Sequence, residues 1–212
     1  MSQIIRYANR VESTKVLGPC DRAVIWVYGC CFHCEGCVAR RYRSGVYNTA
    51  FVEDMTEWFL STKKSHLTIS GGEPFLQADA LSLLIKNIRS KTDVGVIIYT
   101  GFTYAELVAK AEKEEDVKAL LELSDLLIDG RYVQAFDDGR PYIGSSNQKI
   151  IPLTNRYADE IETYYGAAVG RQIEFRFDSE KTVLIGVPSA KQRKLWEHLK
   201  QIADGQQKTP DT

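Results

Sequence analysis

Nine residues, Gly29-Cys30-Cys31-Phe32-His33-Cys34-Glu35-Gly36-Cys37, hold four of the five cysteines of this 212-residue chain. They follow directly on a hydrophobic run, and two ligand registers fit them. Cys31, Cys34 and Cys37 give C-x2-C-x2-C, the opening of a bacterial ferredoxin run, which closes with a fourth Cys followed by Pro. Position 41 is Arg41, Tyr42 follows it, and no cysteine occurs after Cys37. A ferredoxin-type cluster therefore lacks a ligand here. Cys30, Cys34 and Cys37 give C-x3-C-x2-C, in which three thiolates hold three irons of a [4Fe–4S] cube and the fourth iron stays open. A structural zinc tetrahedron of His33 with three or four thiolates is the third reading. Compact zinc knuckles usually draw on two separated ligand pairs, and no second pair exists in this chain.

A second motif bears on the choice. Ser70-Gly71-Gly72-Glu73-Pro74 follows the short apolar run Leu67-Thr68-Ile69. Glycines let a backbone approach a ligand closely, and the Glu73 carboxylate suits an ammonium group. Alone, this stretch reads as a strand-to-helix turn with a surface glutamate. In this order and at this separation, the two motifs resemble the radical S-adenosylmethionine (radical SAM) superfamily. In that superfamily the open iron chelates the amino and carboxylate groups of SAM, and the GGE(P) motif contacts the amino group. The resemblance implies Cys30, Cys34 and Cys37 as cluster ligands and Gly71, Gly72 and Glu73 as SAM contacts.

Bulk properties fit an ordinary soluble globular protein. The chain is 44% apolar and 26% charged with a net charge of −1, which gives no support for nucleic-acid binding. No apolar run approaches membrane-span length, and Met1-Ser2-Gln3-Ile4-Ile5-Arg6 lacks a signal-peptide h-region. The crowded cysteines do not form a secreted disulfide framework. A cytoplasmic location is expected, since an open-iron cluster needs reducing surroundings.

Along the chain, Arg22–Tyr28 is a continuous apolar run, the pattern of a strand buried on both faces of a parallel sheet. The cysteine loop follows at its C-terminal end, where α/β folds place ligands. Residues 1–20 read as mixed and polar. Arg40-Arg41-Tyr42-Arg43 is a small basic patch, either a solvated loop or a contact with a partner or carboxylate. The spacing predicts helices over 49–60, 78–88, from Thr103 with a Thr103/Glu106 capping box, and over 117–123. Strands are expected at 66–70, 94–99 and 125–129. The expected fold is a partial parallel (βα) barrel of the radical SAM type over residues 1–167. Residues 172–177 and 182–187 alternate and predict an antiparallel β-hairpin. Ser189-x-x-Gln192 caps a final helix bearing Leu195, Trp196, Leu199 and Ile202 and ended by Gly205. Residues 168–205 thus form a hairpin-plus-helix appendage, and 206–212 a disordered tail.

Further landmarks narrow the resemblance. Gly18-Pro19-x-x-Arg22, Gly29-Cys30-x-x-His33-Cys34-x-Gly36-Cys37, Tyr99-Thr100-Gly101-Phe102, Leu127-Ile128-Asp129-Gly130 and Gly144-Ser145-Ser146-Asn147-Gln148 resemble the activating proteins of anaerobic ribonucleotide reductase. They occur in that family's order over residues 18–148. Cys20 stands where the family usually has Gly, and Val38-Ala39-Arg40 replaces its Asn after the last cysteine. The shortest members lack the appendage.

The family implies that an electron enters the cluster and passes to SAM, whose S–C5′ bond breaks to give methionine and a 5′-deoxyadenosyl radical. That radical takes a hydrogen atom from one glycine Cα of a glycyl-radical enzyme, here anaerobic ribonucleotide reductase or a similar partner. An electron donor such as flavodoxin or ferredoxin is implied. No acid–base residue is needed for the step, and none is assigned. Asp129 and Asn147 are further candidates for the SAM carboxylate and nucleoside regions. A strand-end Asp also caps turns, and an Asn also satisfies loop backbone. Cys31 is expected to point away from the cube as a packed thiol, with Cys20 also outside the ligand set. His33 either donates to a cluster sulfide or packs in the loop; His66 and His198 are surface or packing residues. The competing functions are a radical SAM enzyme acting on a small molecule or peptide, and a zinc or electron-transfer module.

Overall fold

The computed structural model describes residues 3–166, 170–177, 182–189 and 192–199. Its centre is a seven-stranded sheet. Four strands run parallel: β2 (Arg22–Val27), β4 (His66–Gly71), β5 (Gly95–Tyr99) and β6 (Leu126–Asp129). Three antiparallel strands complete it. β1 (Ile4–Thr14) pairs with β2, β3 (Asn48–Phe51) pairs with β1, and β7 (Lys149–Pro152) pairs with β6. The order is β3-β1-β2-β4-β5-β6-β7. This is the expected α/β architecture with a mostly parallel sheet. β3 and β7 stand at the two ends of the strand order.

The period-two pleat sorts the strand residues between two cores. Ala23, Ile25, Val27, Leu67, Ile69, Val96, Ile98 and Leu127 face one way. They pack under α1 (Val52–Ser61), α2 (Ala78–Arg89), α3 (Tyr104–Ala111) and α4 (Glu115–Glu122), which add Met55, Phe59, Leu81, Leu84, Ile85, Leu107 and Leu120. The alternate residues face the other way and are covered by later chain. Ile97, Leu126 and Ile128 meet Tyr157 and Ile161 at the start of α5 (Ala158–Gly166). Val24 and Trp26 meet Val183 and Ile185 of the hairpin β8–β9 (Ile173–Phe177, Thr182–Gly186). Burial on both faces explains why β2 reads as a continuous apolar run.

Several expected elements are present. The Thr103/Glu106 capping box opens α3. Ser189 and Gln192 exchange the same pair of bonds before α6 (192–199). The hairpin is antiparallel. Several elements differ from the sequence reading, β7 (Lys149–Pro152) among them, since no strand was expected there. β1 occupies residues expected to be mixed and polar; only Ile5 and Thr14 of its eleven residues are buried, so it carries little alternation. Residues 49–51 form the edge strand β3 ahead of α1 rather than the first turn of a helix. Residues 158–166, given no element from the sequence, are α5. The 178–181 turn, Ile202, Gly205 and the 206–212 tail lie outside the described residues.

The Gly18-Pro19-x-x-Arg22 landmark is a clamp under β2. Arg22 is fully buried. Its guanidinium donates twice to the Pro19 carbonyl and once to Thr68 Oγ1, and lies 5.3 Å from the Tyr157 ring centroid. Gly18, at φ +131°, leaves room for that guanidinium and for Ile97 Cδ1, which a Cβ would meet at 2.6 Å.

Candidate active site

The site lies where the parallel strands end. β2 runs into the cysteine loop, and β4, its parallel neighbour, runs into Gly71-Gly72-Glu73. The two loops touch through backbone. Gly72 N donates to Val27 O (2.8 Å) and Glu73 N to Gly29 O (2.7 Å). The glycines are required by this contact. A Cβ on Gly71, at φ +104°, would sit 2.6 Å from Val27 N and O, and one on Gly72 would overlap the Gly29 carbonyl. The close approach that these glycines permit is therefore first of all to the β2 end.

Cys30, Cys34 and Cys37 line one cleft together with Gly71, Gly72 and Glu73; Cys31 does not line it. Cys31 is exposed, not packed as expected, and Cys20 is exposed as well. The cleft, about 150 Å³, is also lined by Phe32, Val38, Ala39, Tyr99, Thr100, Gly101, the 130–132 stretch and Gln148, by Arg40 and Arg43 of the basic patch and, from the C-terminal segment, by Val187 and Arg193. It shares Cys37, Val38, Ala39, Tyr99 and Arg193 with a second groove of about 680 Å³.

Electrostatics in the cleft follow from burial. Burial pushes the Cys30 thiol up to about 11, against the opposing amide of Phe32. Burial also raises Cys37, opposed by the Ala39 amide and by the nearby Arg193 and Arg43 cations. Among the described residues, no three His, Cys, Asp or Glu side chains are gathered to hold a single metal ion. The three thiols share a wall without converging on one point. As a donor set they suit soft, thiolate-bound iron, which deprotonates its ligands.

Glu73 is not the surface glutamate that a strand-to-helix turn alone suggests. It is completely buried. Oε1 accepts from Phe75 N (3.0 Å) and Thr100 Oγ1 (2.8 Å), and Oε2 from Gly101 N (2.8 Å). Burial pushes its carboxyl up to about 7 despite those donors. It therefore ties the β4 turn to the β5 turn beneath the cleft. Thr100 and Gly101 are its partners, residues marked in the sequence only as a landmark. Gly101 also gives Phe32 its seat, since a Cβ there would overlap that ring. Phe32 in turn meets Phe102 edge-on at 4.8 Å and lies 4.6 Å under the Arg131 guanidinium.

Asp129 and Asn147 are not among the cleft-lining residues. Asp129 is buried and accepts from Tyr104 N (2.7 Å) and Lys149 N (3.1 Å), so it caps α3 and closes the β6–β7 connection. Asn147 is exposed and donates to Arg131 O (2.8 Å). Its neighbour Gln148 does reach the cleft. It accepts from Gly144 N (2.7 Å) and donates to Gly130 O (2.7 Å), pinning the loop across the wall. His33 is exposed and off the cleft. His66 contacts the Tyr157 hydroxyl at 3.0 Å, and His198 is exposed.

Residues 16–151 match a family model described as a 4Fe-4S single cluster domain. The anaerobic ribonucleoside-triphosphate reductase-activating protein of Vibrio cholerae is 31% identical over 149 residues, 66% of this chain and 92% of that protein. The chain belongs to this family of activating proteins. The Haemophilus influenzae member is 26% identical over 156 residues, 69% of this chain and 97% of its own. The Escherichia coli K12 member is 29% identical over 145 residues, 64% and 90%. Family matches thus take in nearly all of each relative and about two thirds of this chain. The 4Fe-4S model ends at residue 151, within β7, ahead of α5, the hairpin and α6. No described helix is long and apolar enough to cross a membrane.

Proposed function

We infer that the chain is a radical SAM activase that installs a glycyl radical on a partner enzyme such as anaerobic ribonucleotide reductase. One observation carries this reading: of the four loop cysteines, the three at C-x3-C-x2-C spacing share a cleft with Gly71, Gly72 and Glu73, and the fourth stays outside. Cys30, Cys34 and Cys37 would hold the [4Fe–4S] cluster. The backbone of Gly71–Glu73 would meet the SAM amino group, with Glu73 fixing that turn from below. SAM held there would supply, on one-electron reduction, the radical chemistry needed to remove the partner's glycine hydrogen. The chain's own work is to bind, orient and exclude water around that chemistry. Phe32, Tyr99 and Val38 furnish the apolar walls. Flavodoxin or ferredoxin would deliver the electron, in a reducing cytoplasm.

The family membership supports the partner class, since the relatives are named for activating anaerobic ribonucleoside-triphosphate reductase. A second reading, direct action on a small molecule or peptide, draws on Val187 and Arg193 entering the cleft from outside the matched domain. Both are tested together. The reconstituted protein, with SAM and dithionite, is expected to yield 5′-deoxyadenosine, and an added anaerobic reductase is expected to acquire a glycyl-radical electron-spin signal. Deoxyadenosine without that signal favours the second reading. A fully loaded protein that yields no deoxyadenosine overturns both.

A further inference from the structure

The segment beyond the matched domain reaches the cysteine loop itself. Arg193, on the first turn of α6, donates through Nη1 to the carbonyl oxygen of Gly36, the residue before Cys37. Nη2 donates to the Tyr132 hydroxyl (2.9 Å) and lies 3.5 Å from Asp137 Oδ2, and Nε donates to Pro188 O (3.1 Å). The guanidinium also stacks 5.2 Å from the Tyr132 ring centroid. Its side chain is only 21% exposed. Asp137 is in turn held by Arg171, almost fully buried, at 2.8 Å. Arg171 also donates to the carbonyls of Ile143 and Gly144. One guanidinium therefore contacts three pieces at once: the Cys34–Cys37 turn, the 130–148 loop and the C-terminal segment, the last two also joined through Arg171.

Among the described residues, Gly36 of that turn also packs closely against the Gln134 side chain and the Tyr132 ring. The turn's own backbone bonds are a 3.4 Å contact from Cys37 N to Cys34 O and a 3.3 Å contact from Arg40 N to Cys37 O. A planar fork that donates in several directions at once is what a lysine cannot supply.

We propose that Arg193 is a positioning residue for the iron–sulfur site: it fixes the Cys34–Cys37 turn and sets a permanent positive charge beside the cluster. The proposal rests on the reading of Cys30, Cys34 and Cys37 as cluster ligands. It makes the C-terminal segment a wall of the active site, supplying from outside the matched domain a contact to the ligand loop. A cation beside the cluster favours its reduced, more negative form and raises its potential.

Two measurements on the full chain test it, with Arg193→Gln and Arg193→Lys. In the metal-free protein, amide hydrogen exchange in a peptide covering residues 32–39 is expected to speed up about tenfold in both variants, with β4 unchanged, because the charged hydrogen bond to Gly36 O is weakened. In the reconstituted protein, the cluster midpoint potential is expected to fall in Arg193→Gln and to recover in Arg193→Lys. Unchanged exchange over 32–39 in Arg193→Gln overturns the positioning role. A wild-type iron content with an unchanged potential in Arg193→Gln overturns the charge role. If wild-type protein itself retains no iron, the ligand assignment fails, while the exchange result still decides the contact to Gly36.

Discussion

Two loops lie side by side at the ends of β2 and β4, and they handle polar groups in opposite ways. The glycine–glutamate turn bonds mainly to neighbouring segments of the protein. Its amides bond to Val27 and Gly29, and the Glu73 carboxylate is taken up by Phe75, Thr100 and Gly101. The cysteine loop keeps three of its four thiols on a cleft wall, and its second half accepts a hydrogen bond from a side chain of α6. The turn's amides and carboxylate are engaged in holding adjacent segments together, whereas Cys30, Cys34 and Cys37 present their thiols on the cleft wall.

The largest expected effect divides the loop internally. Replacing Cys30, Cys34 or Cys37 by Ala should abolish iron and sulfide retention, about four of each per chain in the intact protein. Cys31→Ala should retain both, measured by metal analysis after reconstitution. A lethal Cys31 substitution would shift the ligand register by one residue. Next, Gly72→Ala attacks the seam between the two loops. Overlap with the Gly29 carbonyl should destabilise the metal-free protein by about 3 kcal/mol or more in denaturant titration. A neutral result would mean that the seam yields freely.

Glu73→Gln comes third. It brings an amide NH2 against donors that a carboxylate accepts, so a loss of about 1–3 kcal/mol is expected in the metal-free chain. If stability holds and only SAM affinity falls, Glu73 belongs with the ligand-facing groups and the comparison collapses. The pH dependence of the wild-type chain sharpens the same point. The folded carboxyl titrates near about 7 against an ordinary 4.5, so the folded state holds the proton more tightly. This group's favourable contribution is complete below about 4.5 and is lost as pH rises through about 7. Metal-free melting temperatures for wild type should therefore fall over that window more than for Glu73→Gln. Smallest is Asn147→Ala, which removes one exposed bond to Arg131 O. About 0.5 kcal/mol is expected, with SAM binding unchanged by calorimetry.

Much of the fold was legible because burial on two faces writes itself as unbroken apolar runs. β2, β4, β5 and β6 were readable in that way, and so were the amphipathic α2, the capped α3 and α6, and the alternating hairpin. β1 was not, because a strand with only two of its eleven residues buried carries no periodic signal. α5 went unread as well.

The spacing Cys30-x3-Cys34-x2-Cys37 and the pair Gly71-Gly72 are properties of the chain order, and the sequence determined them: short-range geometry leaves few ways to arrange such neighbours. Which of the candidate polar residues face the cleft was decided only by tertiary structure. Asp129 and Asn147 stay off the cleft wall, bonded to Tyr104, Lys149 and Arg131 backbone, whereas Gln148, also bonded to backbone, lines it. Arg193 lies more than 150 residues from Gly36 in the chain, and no local pattern marks it. A hydrogen bond between such distant positions exists only once the hairpin has buried Val183 and Ile185 on the sheet.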